Sequence, residues 1–310
     1  MTILKLIYYL IPPFVKNLVK KTKVKIPEKQ GIVTLTKSEA EIIFSNVKFE
    51  SDVFVHTSLL DIGKVEGGYK VLVQHLNKSI LDKGFTLLFP AIPMKGSSED
   101  YIKQITTFDV RTAAISTGVI NQYYSFLPNA DRSLSPTHSV IAIGPKSTYY
   151  TEGHHLSDTP FKENSPYYKL LINKGKVLML GAKLKHLTLI HVVEDLLGDD
   201  YPVRIHTKRS FEINIINKDG DNFKSNFKTH SKYRGVFRDM TDVSNDLRNL
   251  HSTQIIPLGD GEFVLMDAIE IVLYLFENLK SGNSPYGRRK ISKQANEKID
   301  YWIDFFKTLQ

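Results

Sequence analysis

The run from Val53 to Phe89 constrains the fold more than any other part of the chain. Val53 to Val55 starts an apolar strand, and a polar loop, His56-Thr57-Ser58-Leu59-Leu60-Asp61-Ile62-Gly63, leads on to Gly67-Gly68. Tyr69, Leu72, Val73, Leu76 and Ile80 then recur at helical spacing until Gly84, and Phe85 to Phe89 forms the next apolar strand. Strand, loop, helix, strand is the building block of an α/β sheet. Val140 to Ile143, closed by Gly144-Pro145, and Val177 to Leu180 are short apolar runs of the kind that form buried strands. These elements predict an α/β fold: a mixed central sheet with helices on both faces, two associated subdomains and an N-terminal amphipathic extension.

A chain of 310 residues with 42% hydrophobic content can bury a substantial core. No apolar run is long enough for a spanning helix. The absence of cysteine excludes disulfides, thiolate-bound zinc and an acyl-cysteine intermediate. Charge is unevenly placed: residues 1–30 carry +6 of the +8 total. Ile3, Leu6, Ile7, Leu10, Ile11, Phe14, Leu18 and Val19 recur there at three- and four-residue steps, interrupted by Pro12-Pro13 and followed by a lysine-rich end. Two readings of this leader stay open. It is either an interfacial segment, with residues 1–25 reaching the inner face of a membrane from a cytoplasmic protein, or a helix packed on its own domain or on an oligomer partner. Residues 31–280 are expected to form the main domain, with a basic insertion at about 204–248 that includes a hairpin around Asn217-Lys218-Asp219-Gly220. Residues 281–310 are expected to be a closing loop and helix.

Three stretches carry chemistry. In Ser135-Pro136-Thr137-His138-Ser139, Pro136 fixes its own φ and biases Ser135 to an extended backbone, so His138 is held at one end of a strand. It is suited to general base work or to a carbonyl hydrogen bond at the strand end. A helix from Thr188 to Leu197 puts His191, Glu194 and Asp195 on neighbouring ridges, where Glu194 orients an imidazole, binds a substrate amine or forms an ordinary surface pair. No metal is expected, because His191 and Glu194 lack a third ligand at a recognised spacing. His154 and His155 lie in a turn-rich segment, 151–166, that reads as a rim loop able to contact a substrate. Arg111 suits a phosphate or a surface salt bridge. No nucleic-acid-binding motif occurs.

The segments FVHTSLLDIG (54–63), FDVRTAAISTGVI (108–120), RSLSPTHSVIAIGP (132–145), PFKENSPYYKLLINKGKVLMLGA (160–182) and TLIHVVED (188–195) together resemble the aminoglycoside 3-N-acetyltransferase family, over roughly residues 31–280. The resemblance implies an acyl-CoA-dependent N-acyltransferase using acetyl-CoA or another short acyl-CoA. His56, Thr57, Ser58 and Leu59 would hold the pantetheine arm, and Arg111, Thr112, Thr117, Gly118 and Val119 would form a second coenzyme-binding element. His138 or His191 would be the base, with Glu194 positioning it, and Thr188, His154 and His155 would face the acceptor. A hydroxyl of Thr57 or Ser58, or a backbone amide, would stabilise the oxyanion. Thr117 stands where many relatives have methionine, and Asn121 replaces a frequent acid. Aminoglycosides are polycations, whereas the 204–248 region is basic. The expected acceptor is therefore an amino sugar, nucleotide-linked, in surface-polysaccharide synthesis, with aminoglycoside acetylation as the alternative.

Overall fold

The computed structural model describes residues 34–310, and the amphipathic leader lies outside the described residues. The strands are β1 Thr34–Leu35, β2 Val53–Thr57, β3 Lys64–Val65, β4 Leu87–Pro90, β5 Thr107–Asp109, β6 Ala130–Arg132, β7 Val140–Ile143, β8 Lys176–Leu180, β9 Phe211–Ile216, β10 Asn222–Phe227, β11 Gln254–Leu258 and β12 Gly261–Asp267. Seven of them form one mixed sheet in the order β11-β12-β8-β2-β4-β7-β6. β8, β2 and β4 run parallel at its centre, and the flanking neighbours pair antiparallel.

The central strands are apolar throughout because both faces are covered. Phe54, Leu88, Val140, Ala142, Val177 and Met179 point into one core, with the helices Ile190–Leu197, Ala268–Lys280 and Lys293–Leu309. Val53, Val55, Leu87, Phe89, Ile141, Ile143, Leu178 and Leu180 point into the other, with Lys37–Ser45 and Tyr69–Ser79. Alternate residues of one strand thus serve opposite cores, as the period of two requires. The mixed sheet with helices on both faces agrees with the expectation. The helix Ala268–Lys280 starts where it does because Asp267 caps the Ile269 and Glu270 amides while Met266 still pairs with Val177 in the sheet.

Two segments outside the central sheet are tied into the fold. The hairpin of β9 and β10 recruits β5 in parallel, giving a three-stranded sheet with its own small core around Ile102, Phe108, Ile213, Ile215 and Phe227. The polar excursion after Pro93 contains a short helix, Ser98–Ile102, and Glu99 accepts the Lys232 amide at 2.9 Å. The basic region is therefore folded back over the sheet edge. The last helix is no loose tail either: Ile299, Ile303 and Phe306 are buried in the larger core, and Trp302 packs on Tyr168. Among the described residues, no helix is long and apolar enough to cross a membrane.

Candidate active site

Strand direction gathers the candidate residues at one sheet edge. β2, β4 and β8 are parallel, so Thr57, Pro90 and Leu180 end at the same side, where open α/β sheets bind ligands. β7 runs the other way and its first residue, Val140, pairs with Pro90. His138, two residues earlier, therefore overhangs that same edge. From β8 the chain turns through Gly181 and Thr188 into the helix that carries His191 in its first turn. A cleft of about 850 Å³ opens here, lined by His56, Thr57, Ser58, Thr117, His138, Thr188 and His191, with His230, Arg234 and Arg238 from the basic region.

His191 and Glu194 form a dyad with a defined proton arrangement. The His191 Nδ1 lies 2.8 Å from Glu194 Oε2, so Nδ1–H donates to the carboxylate and Nε2 keeps the lone pair. Glu194 also accepts the Tyr286 hydroxyl at 2.6 Å and an Arg234 N–H. Arg238 Nη1 lies 3.2 Å from His191 Nε2 and donates to it. Burial first, then the Arg234 and Arg238 charges, push His191 well below the ordinary imidazole range, which keeps it neutral.

His138 is the other base candidate. Its Nδ1 lies 2.9 Å from the Thr137 hydroxyl, so no carboxylate orients it, and burial with the Arg234 charge lowers it to about 3. Phe161 sits between the two imidazoles, with ring centres 4.9 Å from His138 and 5.1 Å from His191. His56 is lowered to about 3 by burial and meets Thr188 Oγ1 at 3.3 Å.

A second carboxylate holds the floor. Asp195 Oδ1 lies 2.7 Å from His206 Nε2 and 3.2 Å from His230 Nε2, and Oδ2 accepts the Phe161 amide at 2.8 Å. Burial opposes ionisation of Asp195, yet the bonds and charges of His206 and His230 win and hold it well below the usual carboxylate range. His191, Glu194 and His230 place donor atoms within 4.8 Å of one another, as do Asp195, His206 and His230. The third donor that spacing lacked thus arrives from a distant segment. In the first set, Arg234 already occupies the Glu194 oxygen that a cation would need.

The wall beside the cleft explains both departures from the family pattern. Thr117 Oγ1 and Asn121 Nδ2 both donate to the Pro90 carbonyl, Asn121 Nδ2 also reaches Thr117 Oγ1 at 3.1 Å, and Thr57 Oγ1 donates to Asn121 Oδ1 at 3.2 Å. The Ser58 hydroxyl is likewise engaged, donating to Asp61 Oδ2 at 2.6 Å as it caps the Leu59–Ile62 turn. The hydroxyls of Thr57 and Ser58, expected to stabilise an oxyanion, are therefore committed elsewhere.

Other candidates lie apart. Arg111, Thr112 and His155 line a separate cavity of about 880 Å³, and Arg111 is held by Asp109 in a two-pronged pair. His154 is fully enclosed, with its ring nitrogens on Ser133 Oγ and the Pro160 carbonyl, so it does not reach the cleft. Leu59 opens the Leu59–Ile62 turn, while Gly118, at φ +110°, and Val119 start the Val119–Ser125 helix beside Thr57. Sequence reasoning missed Arg234, Arg238, His230 and Asp195 as site groups. The four-residue step from Arg234 to Arg238 was the available signal, and in the fold Arg234 lies within the Lys232–Phe237 helix while Arg238 follows its last residue in an extended conformation.

A family model described as aminoglycoside 3-N-acetyltransferase matches residues 54–280. Aminoglycoside N(3)-acetyltransferase III of Serratia marcescens is 28% identical over 179 residues, 54% of this chain and 65% of that protein. The enzyme of the same description from Salmonella sp is 30% identical over 194 residues, 58% of this chain and 64% of that protein. The matched stretch thus spans slightly less than two thirds of these curated relatives. A solved structure of AAC-IIIb in binary complex with CoASH superimposes with a TM-score of 0.63 at 21% identity, covering 79% of this chain and 97% of that one. AAC-VIa bound to sisomicin gives 0.60 at 21% identity, with the same coverage. With the sheet, the cleft and the matched span in agreement, the chain belongs to the aminoglycoside 3-N-acetyltransferase family.

Proposed function

We propose that this chain transfers an acetyl group from acetyl-CoA directly to a primary amine of an amino-sugar compound, with His191 as general base. The observation that carries this reading is the His191–Glu194 dyad, which leaves Nε2 unprotonated on a residue that lines the cleft. An ammonium substrate must lose a proton before its lone pair can attack, and Nε2 takes it. The nitrogen then bonds to the thioester carbon and gives its second proton to bulk water, the C–S bond breaks, and the departing thiolate recovers the first proton from the imidazolium, so one proton is released to solution per acetyl group transferred. Direct transfer is supported by the absence of cysteine and by the engagement of Ser58 and Ser116, whose hydroxyls bond Asp61 and the Ile92 and Met94 carbonyls. The CoASH-bound relative supports coenzyme A as the carrier, and a cytoplasmic location would suit a reaction that draws on acetyl-CoA.

The relatives' names favour an aminoglycoside as acceptor over the nucleotide-linked amino sugar expected from charge. The second reading keeps one specific support: Lys95, Lys185, Lys232, Arg234 and Arg238 line the cleft against Asp61 as its acid. Thiol release from acetyl-CoA with a panel of amines tests the mechanism. His191→Asn should lower kcat by about a hundredfold or more, and His138→Asn by less than about tenfold. The reverse order would assign the base to His138.

A further inference from the structure

Arg238 stands where an incoming amine has to be. With Nδ1–H committed to Glu194, the only basic atom His191 offers is Nε2, and the Arg238 guanidinium donates into that lone pair at 3.2 Å. The base is capped. Among the described residues Arg111, Arg234 and Arg248 each close on a carboxylate, whereas the bond described for Arg238 is to a neutral imidazole nitrogen. A guanidinium binds an oxyanion through two parallel charge-assisted bonds, roughly twice as strong as bonds between neutral groups. Such a ligand would draw Arg238 off the imidazole.

The surroundings favour the same class of ligand. Lys95 and Lys185 share the cleft with Arg238, alongside Lys232, which pairs with Asp100 at 3.0 Å, and Arg234, which pairs with Glu194, while Asp61 is paired with Lys183 at 3.2 Å. A polycation entering here would meet like charge and leave the cap in place. We propose that the preferred acceptor carries a phosphate or carboxylate near its reactive amine, and that this oxyanion takes Arg238 as its ligand and so uncovers His191 Nε2. The proposal rests on the acetyl-transfer reading and adds to it an acceptor class and a gate.

The test uses the full chain with acetyl-CoA and thiol release. Acceptors are UDP-glucosamine and glucosamine 6-phosphate for phosphate, muramic acid for carboxylate, glucosamine without an added anion, and kanamycin as polycation. At least one anionic acceptor should exceed glucosamine in kcat/KM by about thirtyfold or more, the scale of a charge-assisted pair. The better of the phosphate and carboxylate arms identifies the source. Arg238→Gln should bring that ratio to within about threefold, because no guanidinium remains to take the oxyanion. Arg238→Lys should keep part of the preference. Kanamycin outrunning every anionic acceptor would overturn the proposal, as would an equal loss for glucosamine and the anionic acceptors in Arg238→Gln. Calorimetry with CoA separates a further case: more than about tenfold weaker binding in that variant would make the coenzyme's own phosphate the ligand and overturn the acceptor assignment. No thiol release with any amine and no acetyl-CoA binding would instead defeat the acetyl-transfer reading itself.

Discussion

Glu194→Gln tests the dyad most directly, because it changes one oxygen to a nitrogen within a fixed shape. In the wild type the carboxylate accepts His191 Nδ1–H at 2.8 Å, the Tyr286 hydroxyl at 2.6 Å and an Arg234 N–H. A glutamine has one acceptor oxygen left for these donors. If its amide faces His191, it donates to Nδ1, the ring shifts its proton to Nε2, and the lone pair there is lost. If its oxygen faces His191 instead, the imidazolium formed during the reaction still loses its counter-charge. Charges about 4 Å apart interact by about 4 kcal/mol at an effective dielectric of 20, so kcat should fall by roughly three powers of ten. Arg234 also loses a buried carboxylate, and removing one partner of such a pair costs about 3–5 kcal/mol. Thermal melting and CoA calorimetry should accompany the thiol-release assay, so that loss of fold is told apart from loss of chemistry. A folded Glu194→Gln protein with kcat within tenfold of the wild type would refute the dyad.

The buried histidines make a pH prediction with a definite sign. His138 and His56 are lowered to about 3 and His154 to about 4, in each case chiefly by burial, so the native chain leaves them neutral where the unfolded chain binds protons below about 6.5. Their contribution is intact above pH 6.5 and is lost as the pH falls, by about 1.4 kcal/mol per histidine per pH unit. Tm should therefore drop steeply between pH 6.5 and 5, and a flat Tm over that range would contradict the burial argument. Gly181 has φ +75°, and an added Cβ would lie 2.3 Å from Ile62 Cγ1 and 2.6 Å from the Ser58 carbonyl. Gly181→Ala should cost about 2–4 kcal/mol through strain and overlap, lowering the denaturant midpoint, and a change below about 0.5 kcal/mol would show that the loop after β8 yields freely.

Much of this protein was legible in one dimension because its governing interactions are local. Short apolar runs specify strands covered on both faces, and the three-residue step from His191 to Glu194 is a helical neighbour relation that survives folding unchanged, whereas the helix expected to run to Gly84 ends at Ser79 and Gly84, at φ +83°, closes the tighter turn Leu81–Lys83 after it. Tertiary structure decided what those elements face. The antiparallel pairing of β7 with β4 carried His138 to the edge where β2 and β8 end, and the fold-back of the 204–248 region brought Arg238 onto an imidazole 47 positions earlier in the chain. It also withdrew Arg111 and His154 from the cleft, the first into an ion pair and the second into a closed hydrogen-bonded niche. Residue types and periods fix which surfaces must be buried, but which distant charges meet there depends on strand order and direction, and these arise only when the whole sheet closes on its cores.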